Sequence, residues 1–152
     1  MKKILATNPT NTTALIARLA IGIVIFSHGA QKLFGWFGGY GFSATMSFLT
    51  GGAHLPWLIA LLVILIESIG ALFVIAGFLT RIAALGILLE FIGVMITVHL
   101  QNGFFMNWAG NQKGEGIEFF LLLFALAVIL IITGGGRASV DAAFISNKRV
   151  NK

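Results

Sequence analysis

The chain has 152 residues, of which 58% are hydrophobic and 10% are charged. A soluble domain carries about 25% charged residues, so this chain cannot build the polar exterior that water requires, and its composition indicates a protein embedded in lipid. The net charge of +5 is spread out, without the basic patches typical of nucleic-acid binding, and the lack of cysteine excludes disulfides, thiolate metal sites and thiol nucleophiles.

Four apolar segments predict four transmembrane helices, since a span needs about 20 largely apolar residues at a rise of about 1.5 Å each. In chain order they cover residues 14–34, 55–78, 81–101 and 117–134. A soluble four-helix bundle would show polar outer faces with a period of about 3.6 residues, whereas residues 58–66 and 119–132 carry no charge on any face. The sequence therefore predicts one all-α domain, residues 1–152, that forms an integral membrane four-helix bundle.

The positions of lysine and arginine predict the orientation of the bundle, because cytoplasmic loops are enriched in these residues. If the N-terminus lies inside, only Lys32 and Lys113 fall on the outer side. The cytoplasmic side then holds the other eight basic residues, which are Lys2, Lys3, Arg18, Arg81, Arg137, Lys148, Arg149 and Lys152. We therefore expect both chain ends on the cytoplasmic side (N-in/C-in).

The two predicted outer loops are rich in glycine and aromatic residues. In the first loop Phe42, Met46 and Leu49 recur at helical spacing after Trp36 and Tyr40. This pattern predicts a short interfacial helix whose aromatic neighbours anchor at headgroup depth. Two interpretations of the loops stay open: they form aromatic belts at the lipid interface, or they cover a cavity between the helices.

Seven ionisable residues lie within the predicted spans or at their ends, namely Arg18, His28, Lys32, Glu67, Glu90, His99 and Glu118. A charged side chain at the bilayer centre costs about 2.5–3.5 kcal/mol on insertion scales, so each needs a partner or a function. On ideal helices most of the seven share a face with glycine or alanine, the residues that allow close helix contacts in lipid. We therefore expect them to face the bundle interior.

The predicted depth of these residues separates them into groups. Arg18 is expected toward the cytoplasm, within reach of a midplane carboxylate, while the lysine, both histidines and Glu118 gather near the outer surface. There Lys32 and Glu118 are candidates for a boundary salt bridge. His28 and His99 are candidate haem ligands from two helices, although an ideal helix points His99 away from the interior unless the helix end unwinds.

Glu67 and Glu90 are both expected near the midplane. Two carboxylates that face each other in a low dielectric cannot both stay charged without a cation, so at least one is expected to be protonated near neutral pH. A structural interpretation is that the pair only fixes helix packing. A functional interpretation is that it forms a binding or proton-relay site, since apolar residues would build the same bundle at a lower cost in free energy.

The motif Arg18-x3-Gly22-x5-His28-Gly29-x2-Lys32-x2-Gly35 resembles the first-helix signature of the DoxX family of small bacterial four-helix membrane proteins. The resemblance covers nearly the whole chain. The other matching positions are Glu67 and Gly70, the Gly77-x3-Arg81 turn, His99 before Gly103-Phe104, Gly116-x-Glu118, and the ending Gly134-x-Gly136 with Ser139-Val140-Asp141.

This resemblance implies a multi-pass protein of the bacterial inner membrane with a redox association. The family takes its name from a subunit of a membrane-bound thiosulfate:quinone oxidoreductase. Other members are described as oxidoreductases or as membrane partners in thiol-stress complexes, and most have no defined activity.

The leading functional hypothesis is a membrane subunit that binds a quinone or similar lipid-soluble molecule in the bundle interior. His28 and Glu118 would contact its head group, Glu67 and Glu90 would handle protons, and Arg18 would connect them to the cytoplasm. With no cysteine, metal or flavin motif, the chain has no intrinsic cofactor, so a redox partner protein or a soluble reductant would donate electrons. The alternatives are a proton-coupled small-solute carrier, which would require a homo-oligomer, and a non-catalytic scaffold for a partner enzyme.

Overall fold

The structure is a computed structural model that describes residues 5–150, with side chains described for residues 5–145. All regular secondary structure in this range is helical. Three helices are long and apolar enough to cross a membrane: α1 (Thr12–Phe34), α3 (Trp57–Ala76) and α4 (Thr80–Asn102). Together with the shorter apolar helix α5 (Glu118–Thr133) they confirm the predicted fold class, an all-α membrane bundle.

Two further helices lie outside the four apolar ones. Helix α2 (Gly41–Ser47) occupies the connection between α1 and α3, where the sequence predicts a short helix, and its Met46 packs against Ala60 and Ile64 of α3. Helix α6 (Val140–Val150) follows the glycine turn after α5. The placement of α2 in the lipid interface stays a prediction.

One apolar core joins α1, α3, α4 and α5. Its fully buried members include Ile25 of α1, Val74 of α3, Ile87 of α4 and Leu130 of α5. Burial of such side chains contributes about 1.5–3 kcal/mol each in water, but lipid tails are as apolar as leucine, so tight packing must hold this bundle together.

Gly29 of α1 makes a close contact with α3. A β-carbon at this position would overlap the backbone of Glu67 and Ser68 in α3. A second glycine of the same face, Gly22, meets Ile75 about two turns further along α3. The small-residue face predicted for the first span is therefore the surface on which α1 meets α3.

Two helices contain a π-helical turn near their polar residues. Residues Ile66–Gly70 form such a turn in the middle of α3, and Met95–His99 form one near the end of α4. A π-turn inserts a residue into the helical register, so the faces beyond it rotate relative to an ideal α-helix, and such turns are frequent at functional sites. Glu67 lies within the first turn and His99 ends the second.

The predicted orientation can be tested with single cysteines, because the chain has none of its own. Asn111 is exposed in the loop between α4 and α5, and Arg137 is exposed at the opposite end of α5. In intact cells we expect a membrane-impermeant maleimide to label Asn111→Cys and to label Arg137→Cys only after the membrane is made permeable. The reverse pattern would show that the chain ends face outward.

Candidate functional site

Lys32 and Glu67 form an ion pair in the half of the bundle that carries the loop between α4 and α5. The ammonium nitrogen of Lys32 lies 2.5 Å from Oε2 of Glu67. The lysine is two residues from the end of α1, and its side chain is 27% exposed, whereas that of Glu67 is 4% exposed. The expected salt bridge between Lys32 and Glu118 is therefore wrong, because the long lysine side chain extends to the carboxylate of α3 instead.

Glu90 of α4 is the third member of this site. Both its carboxylate oxygens are buried and have no hydrogen-bond donor among the described groups, and the carboxyl group lies within hydrogen-bonding reach of that of Glu67. Its charge interacts with Glu67 and with Lys32, so the structure brings the two predicted midplane carboxylates together. We call Lys32, Glu67 and Glu90 the polar cluster. A buried acceptor without a partner carries a desolvation cost of about 1–3 kcal/mol, and more when it is charged.

An apolar groove runs along the seam between α3 and α4, with a volume of about 330 Å³. Its walls include Ile66, Ile69 and Phe73 of α3 and Ile82, Ala83 and Gly86 of α4. Glu90 follows Gly86 by four residues, which places both on one face of α4. The groove residue Gly86 therefore lies about one helical turn from Glu90 along α4.

Arg18 lies at the other end of the bundle and does not reach the polar cluster. Its Nη2 donates hydrogen bonds to the carbonyl oxygens of Arg137 and Ala138, at 3.3 and 3.1 Å. The side chain is 1% exposed and interacts electrostatically with Asp141. The expectation that Arg18 connects a midplane carboxylate to the cytoplasm is therefore wrong, because its counter-charge is the side-chain carboxylate of Asp141.

Asp141 is a buried polar residue that the sequence analysis did not single out as a site. Its carboxylate accepts hydrogen bonds from the backbone N–H of Leu79 at 2.9 Å and from that of Thr80 at 3.0 Å, and from the Thr80 hydroxyl at 2.8 Å. These donors start α4, so Asp141 caps that helix from a distant part of the chain. The one signal in the sequence is that Ser139-Val140-Asp141 follows a glycine run at a predicted helix stop.

The remaining predicted site residues lie apart from the polar cluster. Glu118 accepts hydrogen bonds from the backbone N–H of Met106 at 3.0 Å and from Nε1 of Trp108 at 3.2 Å, which ties the outer loop to α5. The ring of His99 lies 4.8 Å from that of Phe120, so this side chain faces inward. It does so because the end of α4 departs from α-helical geometry. The side chain of His28 is exposed, so it does not join the cluster.

Comparison with known proteins identifies the family of this bundle. The DoxX family profile matches residues 13–100, and the chain is 32% identical over 135 residues to the Bacillus subtilis (strain 168) protein named "Putative oxidoreductase CatD". That alignment covers 89% of both chains. The chain belongs to the DoxX family.

A second relative of this DoxX protein is the "Inner membrane protein YphA" of Escherichia coli (strain K12). It is 27% identical over 130 residues, which cover 84% of the present chain and 86% of the relative. No solved structure matches the chain significantly. The family profile spans α1, α3 and nearly all of α4, so it includes all three residues of the polar cluster.

Proposed function

We propose that this DoxX protein is a redox-associated membrane protein that binds a quinone or a similar lipid-soluble molecule between α3 and α4. The observation that carries the proposal is the unpaired carboxylate of Glu90 near the end of an apolar groove. A relative named as an oxidoreductase supports the redox association.

The groove suits an isoprenoid chain by shape and by chemistry. Its volume of about 330 Å³ lies at the lower end of the range for small-molecule sites, about 300–1,000 Å³. Its walls are almost wholly apolar, and exposed residues such as Ile69 and Ile82 line it on the outside of the bundle, where a lipid-soluble molecule would enter laterally.

The polar cluster supplies what a quinone head group needs. Glu90 has two buried oxygens without a hydrogen-bond donor, so a hydroxyl group on the reduced ligand can donate to it, or a protonated Glu90 can donate to a ligand carbonyl. This assignment replaces the roles expected of His28 and Glu118, since one is exposed and the other binds the outer loop. Electrons then come from a partner protein or a soluble reductant, because the chain holds no cysteine.

Thermal unfolding in lipid nanodiscs tests the proposal. A quinone with a short isoprenoid chain should stabilise the wild-type protein, by about 2.7 kcal/mol at a ligand concentration of 100 times Kd. Glu90→Leu should abolish this shift, since it removes the polar contact, and Gly86→Leu should weaken it by filling the groove. A β-carbon at Gly86 meets Ile66 at an ordinary 3.8 Å, so that variant should fold.

The matched control is Glu115→Leu, which removes an exposed carboxylate from the outer loop. It should leave the quinone shift unchanged. If quinone stabilises none of these proteins, or stabilises the Glu90→Leu variant as well as the wild type, the proposal is wrong. Solute uptake driven by a pH gradient and lost in Glu67→Gln would then favour the carrier hypothesis.

A further inference from the structure

The polar cluster has an unbalanced charge. If all three side chains were ionised, one ammonium group would face two carboxylates, which leaves one net negative charge. Lys32 is bound to Glu67, and the oxygens of Glu90 have no hydrogen-bond donor among the described residues. An uncompensated charge in the bilayer interior is costly, so the cluster must take up one positive charge.

No other ionisable side chain of the surrounding helices supplies that charge. Arg18 lies 14 residues from Lys32 along α1, about 21 Å away at a rise of about 1.5 Å per residue, and it faces Asp141. On α4, Arg81 donates to the carbonyl oxygens of Ile131 and Ala6, and His99 Nδ1 lies 2.9 Å from the carbonyl oxygen of Glu115.

The other neighbouring elements add no cation either. Helix α2 has no ionisable residue, and the only one in α5 is Glu118, which binds the outer loop. His28 of α1 has an exposed side chain outside the cluster. None of the described side chains around the cluster therefore supplies the missing positive charge.

The interior of the bundle is closed on the side of Arg18. Between Arg18 and the cluster lies a layer of apolar side chains that includes Ile25, Val74 and Ile87, all fully buried. A charged species would need water or polar groups to cross this layer, and its side chains offer none.

The opposite side offers a polar route. Lys32 is two residues from the outer end of α1, and its side chain is partly exposed while it holds Glu67. Lys32 is therefore the one polar side chain that a proton must pass between this membrane surface and Glu67. Between the cluster and Arg18, by contrast, the layer of Ile25, Val74 and Ile87 offers no polar side chain.

We propose that the polar cluster binds a single proton, held on Glu90, and exchanges it only with the face of the membrane that carries the loop between α4 and α5. The proposal shares Glu90 with the proposed quinone site but requires no quinone. The proton adds to one carboxylate oxygen of Glu90 and leaves the ion pair of Lys32 and Glu67 intact. A metal cation is disfavoured because hard cations need several oxygen ligands and the ammonium group would repel it.

Dicyclohexylcarbodiimide tests whether the cluster holds one proton, because this apolar reagent modifies protonated carboxyl groups in lipid. In quinone-free vesicles, mass spectrometry of the wild-type protein should find one modification, on Glu90. Lys32→Met should add a second modification on Glu67, since that carboxylate then also needs a proton. Glu90→Gln should lose the wild-type label, and the control Glu115→Gln should keep it.

The same reagent tests from which face of the membrane the proton reaches Glu90. In the background of Asn111→Cys, an impermeant maleimide separates vesicles by whether the loop between α4 and α5 faces the medium. Raising the pH of the medium at constant internal pH should abolish Glu90 labelling only in vesicles with this loop outside.

Several results would overturn the proposal. These are labelling that follows the pH on the side of Arg137, labelling that ignores pH on both sides, protection by sodium at constant pH, or no labelling of Glu90 at all. Because the vesicles contain no quinone, these outcomes are independent of the ligand. A failed quinone titration with intact one-sided labelling would reject only the proposed function.

Discussion

Replacing Gly29 with alanine should destabilise the bundle by at least about 3 kcal/mol, the upper end of the usual cost of overpacking. The added β-carbon would overlap the backbone of Glu67 and Ser68, which cannot move aside as a flexible side chain could. Separation of α1 from α3 would also pull Lys32 away from Glu67. Reversible unfolding in mixed micelles of mild detergent and dodecyl sulfate measures the loss.

Gly93→Ala is the matched control for this substitution. Gly93 also lies within a membrane helix, but a β-carbon there would meet no atom within 4 Å. Alanine is favoured over glycine in a helix by about 1 kcal/mol, so this variant should be as stable as the wild type or slightly more stable. If the two variants unfold alike, the close contact between α1 and α3 does not hold the bundle together.

The bundle and its α1–α3 contact could be predicted from the sequence because both depend on local composition. Runs of apolar residues set the spans, and small residues such as Gly22 and Gly29 recur on one helical face. Lipid offers little hydrophobic driving force between helices, so close approach at small residues decides which faces meet. The meeting of Glu67 and Glu90 follows from the same faces.

The partners of the long side chains could not be predicted in this way. A lysine side chain reaches several ångströms from its helix, so Lys32 could pair with a carboxylate at either of two depths, and the sequence does not show which one. The direction of His99 could be predicted only conditionally, since its orientation depends on a π-turn that shifts the register of α4. An ideal helix of constant period contains no such turn.

Arg18 and Asp141 show a third limit of the sequence. They are 123 positions apart, and Asp141 lies in the first turn of the short helix α6. Their proximity depends on how the start of α1 and the ends of α3 and α5 are arranged around the turn at Gly77. Gly77 permits this arrangement, because it has a φ of +69° and a β-carbon there would overlap the guanidinium group of Arg18.

Asp141→Ala should destabilise the protein by about 3–5 kcal/mol, the usual result of removing one partner from a buried charge pair. The substitution would leave the guanidinium group of Arg18 buried, with Nε and Nη1 already lacking hydrogen-bond partners. It would also remove the acceptor for three donors at the start of α4, and loss of a helix cap alone costs about 1 kcal/mol. Unfolding in mixed micelles should show a large loss, together with faster proteolysis of the C-terminal segment.

Glu115→Ala serves as the control, because this exposed carboxylate also accepts a backbone hydrogen bond, from Asn107, but has no buried counter-charge. It should cost about 1 kcal/mol or less, the usual net value of one hydrogen bond.

The double variant Arg18→Leu with Asp141→Leu should lose less stability than the sum of the two single variants, because no unpaired charge then stays buried. Strictly additive losses would show that the two charges do not interact, and that the carboxylate acts only as a cap on α4.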